Sequence, residues 1–431
     1  MFERKHVDTV VIGGGIIGCA TAWYLHKRGF SVTVIEKGRV AGEQSSRNWG
    51  FVRQQGRDLR ELPLIMKSLE NWRGIDEALG EPTGFVTCGN LAVAPNEKKL
   101  AAMRGWARDV ADFGLESRVV TGAELEALSP AMARSYSAAL YTPSDGRAEP
   151  SLATQGIATA LKKVGQEVVE QCMVEDLLLE SGKVAGVVTE MGEIRCSKVV
   201  MAGGAWSGQF LRKLGLSLPQ SDLRVTVGRT EAFAHGIETP TWLPAVALRP
   251  RQDGGLSFAS GSIMDHDLNI DSFRYLGRFL PNFLMNSSSL KLNLNNRFME
   301  QRRHARIYRT AQRDSYQAIR TLDPTPNHSL IEQTRNAMVK AFDFPENLAL
   351  EETWAGRIDV MPDAIPVIDQ VPQAKGLILA TGMSGHGFGI GLGVGDVVAE
   401  LVDRGTTELD LRPFSLSRFS ERYFVTPKNL L

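Results

Sequence analysis

Little in this 431-residue sequence points to metals, disulfides, membranes or nucleic acid. Its four cysteines, Cys19, Cys88, Cys172 and Cys196, lie far apart, with no CxxC pair and no histidine-containing ligand pattern. That spacing excludes a zinc module and a disulfide framework, leaving buried free thiols in a reducing cytoplasm as the expectation. Net charge is also missing: 49 lysines and arginines face 49 aspartates and glutamates, so no overall field favours nucleic acid. No apolar run reaches the roughly 18 residues of a spanning helix. Strand-like sequence begins near residue 8, too early for a cleavable leader. Glycine, in contrast, is plentiful at 42 residues and gathers near both ends of the chain. The length suggests two or three domains, and the 43% hydrophobic content is that of an ordinary globular protein.

The first glycine cluster organises the chain. In VVIGGGIIGCATAWYLHKRGFSVTVIEKG, Val10 to Gly38, an apolar run from Thr9 to Ile12 reads as a buried strand. Gly13 permits a tight turn, Gly15 lets backbone N–H groups approach a pyrophosphate, and Gly18 opens a helix that packs closely on the strand. The helix N-terminus, with Ile16 and Ile17, turns its positive end to the phosphates. A second β-branched run, Ser31 to Ile35, ends at Glu36, eighteen residues after Gly18. A carboxylate about 20 residues on accepts from a ribose hydroxyl. Strand, turn, helix, strand and acid fall in the order of a dinucleotide site.

The polar stretch from Lys37 to Asp58, KGRVAGEQSSRNWGFVRQQGRD, reads as a loop with a helix starting near Ser45 or Ser46. Helical spacing follows over Leu62 to Leu79, and Phe85 to Ala94 reads as one strand. Two helical stretches then span Lys98 to Phe113 and Gly122 to Leu128. Ser144 to Pro150 is turn chemistry between domains, and Leu152 to Lys163 is helical. Short runs at Glu167–Val169, Val174–Glu180, Val184–Thr189 and Glu193–Arg195 predict an antiparallel meander. It leads to the apolar strand Lys198 to Ala202, then Gly203, Gly204, Ala205, Trp206 and Ser207, a second strand–glycine–helix unit re-entering the same parallel sheet. Arg224 to Ala349 reads as a more β-rich region. An apolar strand, Gly376 to Ala380, precedes TGMSGHGFGIGLGVGDVVAELV, with glycine at 382, 385, 387, 389, 391, 393 and 395. So many glycines are costly to order. Their presence predicts backbone lying against a planar ligand and a helix from about Gly391 to Val402.

Together these motifs resemble the FAD-dependent amine and amino-acid oxidoreductases of the glycine oxidase, sarcosine oxidase and D-amino-acid oxidase family. The likeness runs over nearly the whole chain and rests on GGGIIG with Glu36-Lys37, SSRNWG, VVMAGGAWS, WAGRIDVMPDAIPVID and SGHGFGIG. IEKGRVAGEQS, the insertion after Ala259 and the terminal Pro413–Phe419 are most similar to the membrane-associated bacterial L-amino-acid deaminases. WAGRIDVMPDA also resembles the β subunits of heteromeric sarcosine oxidases and hydroxyproline dehydrogenases. The resemblance implies an α/β fold, a Rossmann-like FAD-binding domain of parallel sheet with a β-meander, and an interleaved α+β substrate domain with a large antiparallel sheet. The FAD part would comprise 1–80, 148–222 and 352–415, and the substrate part 81–147 and 223–351, with an insertion at about 264–306.

By position, the resemblance puts the ADP half of FAD on Gly13, Gly15, Ile16, Ile17, Gly18, Glu36 and Lys37. Gln44, Ser45, Ser46, Arg47, Asn48, Trp49 and Gly50 would reach the diphosphate or flavin. Val174 would hold the adenine through its backbone, and Ala202, Gly203 and Trp206 would line the groove. Gly382, Ser384, Gly385, His386, Gly387, Phe388 and Gly389 would cover the flavin pyrimidine, with His386 a candidate acid or base. Simple family members carry a carboxylate-clamping arginine where this chain has Ile358; Arg357 stands one position earlier, and neighbouring strand residues face opposite ways. Arg357, Arg53, Gln55 and Arg249 are therefore the substrate candidates.

The implied activity is hydride transfer from the C–N carbon of a small amino acid to FAD, with oxygen or a quinone as acceptor. The alternative is a β-type subunit acting on N-methyl or cyclic imino acids. In the insertion, Phe273, Leu276, Leu280, Phe283 and Leu284 share one helical face, Pro281 should break or kink that helix, and Leu290, Leu292 and Leu294 alternate as in a strand. Such an element is either a lid or a peripheral contact with the inner face of a membrane.

Overall fold

The apolar runs read from the sequence assemble into two large sheets. The structure, a computed structural model, describes residues 6–299, 302 and 319–420. In the first sheet the strands lie in the order Val367–Gln370, Leu377–Thr381, Lys198–Met201, Thr9–Ile12, Val32–Ile35 and Glu167–Val169. All pairs are parallel except the outermost, Val367–Gln370 against Leu377–Thr381. Both faces are covered, which is why these strands are apolar throughout rather than alternating. Val11, Val200 and Ile378 pack against the helices Ile16–Lys27, Leu62–Arg73, Pro150–Lys163 and Gly387–Arg404. Val10, Val199 and Leu377 point the other way, onto Val174, Leu177, Val187 and Ile194 of the three-stranded meander.

Glu167–Val169 does not belong to that meander. It pairs in parallel with Val32–Ile35 and closes the first sheet, while the meander consists of Val174–Glu180, Lys183–Thr189 and Gly192–Arg195. Other boundaries shift because glycine interrupts. The helical pattern from Leu62 to Leu79 divides at Gly74, and the run Phe85–Ala94 becomes Val86–Thr87 and Asn90–Val93, parted by Gly89 at φ +72°.

The second sheet is ten-stranded, mainly antiparallel, with Ser221–Thr230 pairing Leu350–Val360 along ten registered residues. Its other strands come from Asn90–Val93, Arg118–Thr121, Ala138–Thr142 and the segment between Thr241 and Asn293. The helix His328–Phe342 covers one face through Ile331, Met338 and Phe342.

The insertion continues from Met264–Asp267 into helices Ile270–Arg274 and Leu276–Met285, then returns as Leu290–Asn293 on the sheet edge. The chain turns at Tyr275, and Pro281 lies inside the second helix without ending it. Of the segment expected at 264–306, residues 300, 301 and 303–306 lie outside the described residues.

Candidate dinucleotide and substrate site

The strands Thr9–Ile12 and Lys198–Met201 are neighbours, and both run out into glycine at the same edge of the first sheet. Gly13 has φ +112°, and a Cβ there would stand 2.4 Å from the Ala202 carbonyl oxygen. A Cβ on Gly18 would lie 1.9 Å from the Gly13 oxygen, so turn and helix touch backbone to backbone. Gly15 is different, since a Cβ there would meet only the Ser45 hydroxyl at 3.0 Å. Ile16 N–H donates to that hydroxyl at 2.8 Å, leaving the Ser45 O–H a proton to give to something else. Glu36 accepts from Gly14 N–H at 2.7 Å and Gly38 N–H at 2.6 Å, which orients the carboxylate without filling its four lone-pair positions. Burial raises its pKa, and the two N–H bonds act against that.

These groups open into one cavity of about 1200 Å³. Single small-molecule sites occupy roughly 300–1,000 Å³, so there is room for a dinucleotide and a second molecule. Gly13, Gly15, Ile16, Ile17, Glu36 and Lys37 line it, with Gln44, Ser45, Arg47, Asn48, Trp49 and Gly50 on the next loop. Val174, Ala202, Gly203 and Trp206 line one end, and Ser384, Gly385, His386, Gly387, Phe388 and Gly389 another. Gly18, Ser46 and Gly382 stand back from it. Gly18 faces Gly13, the Ser46 hydroxyl donates to the Glu43 carbonyl, and Gly382 N–H donates to Asp359 against Met361. Arg47 reaches the cavity while ion-paired to Asp323 at 2.6 Å. Two contacts had no sequence signal because their partners are remote. The Lys37 ammonium sits 3.1 Å over the Trp206 ring, and the Trp206 indole donates to Glu43 at 3.0 Å.

The late glycine run divides in two. Gly385, Gly387 and Gly389 line the cavity, where the helix Gly387–Arg404 begins. Beyond them the expected ligand contact gives way to helix packing. A Cβ at Gly391 would be 2.8 Å from Ile16, at Gly393 2.6 Å from the Leu64 carbonyl, and at Gly395 2.6 Å from the Ala20 backbone. The helix is wedged between Ile16–Lys27 and Leu62–Arg73, with its start pinned by Ser68 and Trp72 donating to the Gly389 carbonyl at 2.7 and 3.0 Å.

The candidate arginines occupy very different surroundings. Arg357 lines the cavity but is ion-paired to Asp267 at 2.7 Å and Asp222 at 3.4 Å. Ile358, on the opposite strand face, is the neighbour of Gly385. Arg249 is 1% exposed, holds Glu149 in a fork at 2.8 and 2.7 Å, and does not reach the cavity. Gln55 is also sealed away, bonded to the Asn90 and Leu140 carbonyls at 3.0 Å each. Both were candidates from the sequence, and both are used up bracing the fold.

Arg53 lines the cavity with its guanidinium 5.0 Å from the Trp242 ring and one nitrogen on the Gln55 carbonyl. Burial, then the neighbouring Arg57, pushes its pKa down to about 9. Arg57, four residues further along the same loop, was not singled out from the sequence. It is 4% exposed, lines the same wall, donates from Nε to the Arg53 carbonyl at 3.3 Å, and among the described residues has no hydrogen-bond partner at Nη1. His386 joins this group. Its Nδ1 lies 2.8 Å from buried Glu61, and burial with the arginines holds the ring neutral below its ordinary pKa. For Glu61 burial acts upward, but His386 and Arg57 outweigh it and the carboxyl stays low. Nδ1–H therefore donates to an ionised Glu61.

A family model described as DAO, FAD dependent oxidoreductase, matches residues 8–401. The chain belongs to this family. FAD is its cofactor, and the cavity fits FAD by its own features: two helix N-termini, an oriented Glu36, a Ser45 proton that meets no acceptor among the described residues, and excess volume. Among solved structures, L-amino acid deaminase from Proteus myxofaciens in complex with anthranilate is similar at 27% identity and TM-score 0.92, over 97% of this chain and 94% of that one. Sarcosine oxidase subunit beta from Rhodobacter capsulatus is 24% identical over 98% of this chain and 91% of its own. Human mitochondrial sarcosine dehydrogenase is 24% identical over 96% of this chain, which spans only 41% of that protein's length. Within this FAD-dependent family member, no helix of the described residues is long and apolar enough to cross a membrane.

Proposed function

We propose that the chain oxidises the C–N bond of a small amino acid, giving an imino acid that water converts to an oxo acid and ammonia. The observation that carries this reading is the near-complete overlay on an L-amino acid deaminase. Glu36 would hold the adenosine ribose, Ser45 and the Gly15 N–H the diphosphate, and the residues from Ser384 to Gly389 the flavin end. FAD there supplies the acceptor for the hydride leaving the substrate carbon. The protein's task is then placement: Arg53 takes the carboxylate, and the walls formed by Trp49, Phe51 and Trp242 hold the rest in a dry pocket.

Anaerobic mixing with L-amino, D-amino and N-methyl amino acids tests the reading, since only a substrate bleaches the flavin. Bleaching by L-amino acids supports it. Bleaching by N-methyl or cyclic imino acids alone favours the second reading, a β-type subunit, which the Rhodobacter relative supports. Admitting air separates oxygen from a quinone as the acceptor.

The insertion supports a peripheral membrane contact. Leu276 and Phe283 face the cavity from the helix Leu276–Met285, while Leu284 and Leu294 are 66% and 83% exposed. Co-sedimentation with anionic vesicles that is lost in Leu284→Ser/Leu294→Ser supports the contact; unchanged sedimentation leaves a lid.

A further inference from the structure

Two buried guanidinium groups side by side are costly unless something negative meets them. Arg53 and Arg57 are 6% and 4% exposed, and among the described residues neither is ion-paired. The other buried arginines of the cavity region are neutralised, Arg357 by Asp222 and Asp267, Arg249 by Glu149. The two nearby acids are engaged elsewhere: Glu61 with His386, and Asp145 with the N–H groups of Gln54 and Gln55 at 2.7 and 3.1 Å. Among the described residues Arg57 Nη1 has no hydrogen-bond partner. A side-chain bond, Arg57 Nε–H to the Arg53 carbonyl, ties the Arg57 guanidinium to the Arg53 backbone, and both residues line the one cavity.

We infer that Arg57, paired with Arg53, is the anchor for the substrate's carboxylate, which adds a second guanidinium group to the Arg53 contact on the loop after Val52. The inference rests on the amino-acid reading above and adds a residue to it. The neighbourhood suits an incoming anion. Lys98 and Lys99 line the same cavity at the start of the helix Glu97–Ala111, and that helix touches Arg57 through the Trp106 indole, 2.9 Å from the Arg57 carbonyl. Trp242 lies against Arg53, so a carboxylate on the guanidinium groups would leave its apolar portion on the aromatic wall of Trp49, Phe51 and Trp242.

The test is a binding titration on the FAD-loaded protein, following the flavin visible band with benzoate and with its uncharged counterpart, benzamide. Benzoate should bind the unmodified protein and benzamide far more weakly, a comparison that needs no variant. Arg57→Gln should weaken benzoate by on the order of 10- to 150-fold, as expected for a charge-assisted hydrogen bond, with benzamide unchanged and Arg57→Lys in between. Equal binding of benzoate and benzamide, or benzoate binding untouched by Arg57→Gln, overturns the inference. Loss of Arg57 that alters flavin content or its absorbance without ligand, while benzoate affinity holds, assigns the residue to the cofactor instead and likewise overturns it. The amino-acid reading fails separately. Benzoate bound through Arg57 with no amino acid bleaching the flavin would keep the anion site and remove the proposed activity.

Discussion

Two glycine-rich segments, residues 13–18 and 382–395, meet at the same cavity, and they use glycine differently. In the first, Gly13 and Gly18 serve the chain's own crossing, and Gly15 alone is left open toward a ligand. In the second, Gly385 to Gly389 line the cavity, whereas Gly391 and Gly395 face the helix Ile16–Lys27 and Gly393 faces Leu62–Arg73. Positions four apart share a helix face, so the repeat lets two neighbouring helices approach closely at once. Glycine density announces that backbone comes near something. Only the partner decides whether that is a ligand or another helix.

Substituting alanine sharpens the comparison. Gly18→Ala should be the most damaging, because its methyl would sit 1.9 Å from the Gly13 oxygen with only backbone to move. A loss of about 3 kcal/mol or more is expected, read as little soluble flavoprotein and a much lower melting temperature. Near-normal melting with full FAD would break the packing account. Gly395→Ala should cost about 1–2 kcal/mol, overpacking against Ala20 partly offset by better helix propensity, while the folded protein keeps its FAD affinity. Gly15→Ala should invert that pattern. Its φ of −77° suits alanine and its Cβ would meet only Ser45, so the apoprotein should melt within a degree or two of the unmodified one. FAD affinity measured by equilibrium titration should nevertheless fall about tenfold or more, as the methyl enters the phosphate approach. Unchanged affinity would place the diphosphate elsewhere.

The same contrast explains what could be read from the sequence. Gly13, Gly18 and Glu36 act within one strand–helix–strand unit, so their spacing already carried the geometry. The packing role of Gly391, Gly393 and Gly395 depends on Ile16, Ala20 and Leu64, more than 300 positions away. Glu167–Val169 looked like part of the meander because its true partner, Val32–Ile35, lies 134 positions back along the chain. Strand alternation correctly warned that Arg357 and Ile358 face opposite ways. It could not supply Asp222 and Asp267, which come from neighbouring strands and occupy the arginine. Arg249 and Gln55 looked available for the same reason. Arg57 did carry a faint signal, its four-residue step from Arg53, but a buried nitrogen without a partner is visible only in three dimensions.

The smallest effect separates the two helix starts by charge. Ile16–Lys27 begins at Gly15 with the Ser45 hydroxyl, which does not titrate, whereas Gly387–Arg404 begins at His386 on Glu61. A protonated ring at a helix N-terminus is disfavoured by the dipole, and burial beside Arg57 and Arg53 adds to that. The folded-state pKa of His386 is therefore below its unfolded value near 6.5, so the unfolded chain binds the proton first as pH falls. Stability should be complete above about pH 7 and decline below the unfolded pKa, by at most about 1.4 kcal/mol per pH unit from this group. Glu61 is shifted downward as well. Its contribution is present above its unfolded value near 4.5 and is lost only in stronger acid, which separates the two windows. His386→Asn keeps an N–H donor toward Glu61 but cannot titrate. Denaturant melts between pH 5 and 7 should therefore show a shallower slope for His386→Asn than for the unmodified protein, with both converging above about pH 7 apart from a constant offset. Parallel slopes across that range would mean that His386 stays as protonated in the fold as in the unfolded chain, and that its bond to Glu61 holds an imidazolium at the helix start.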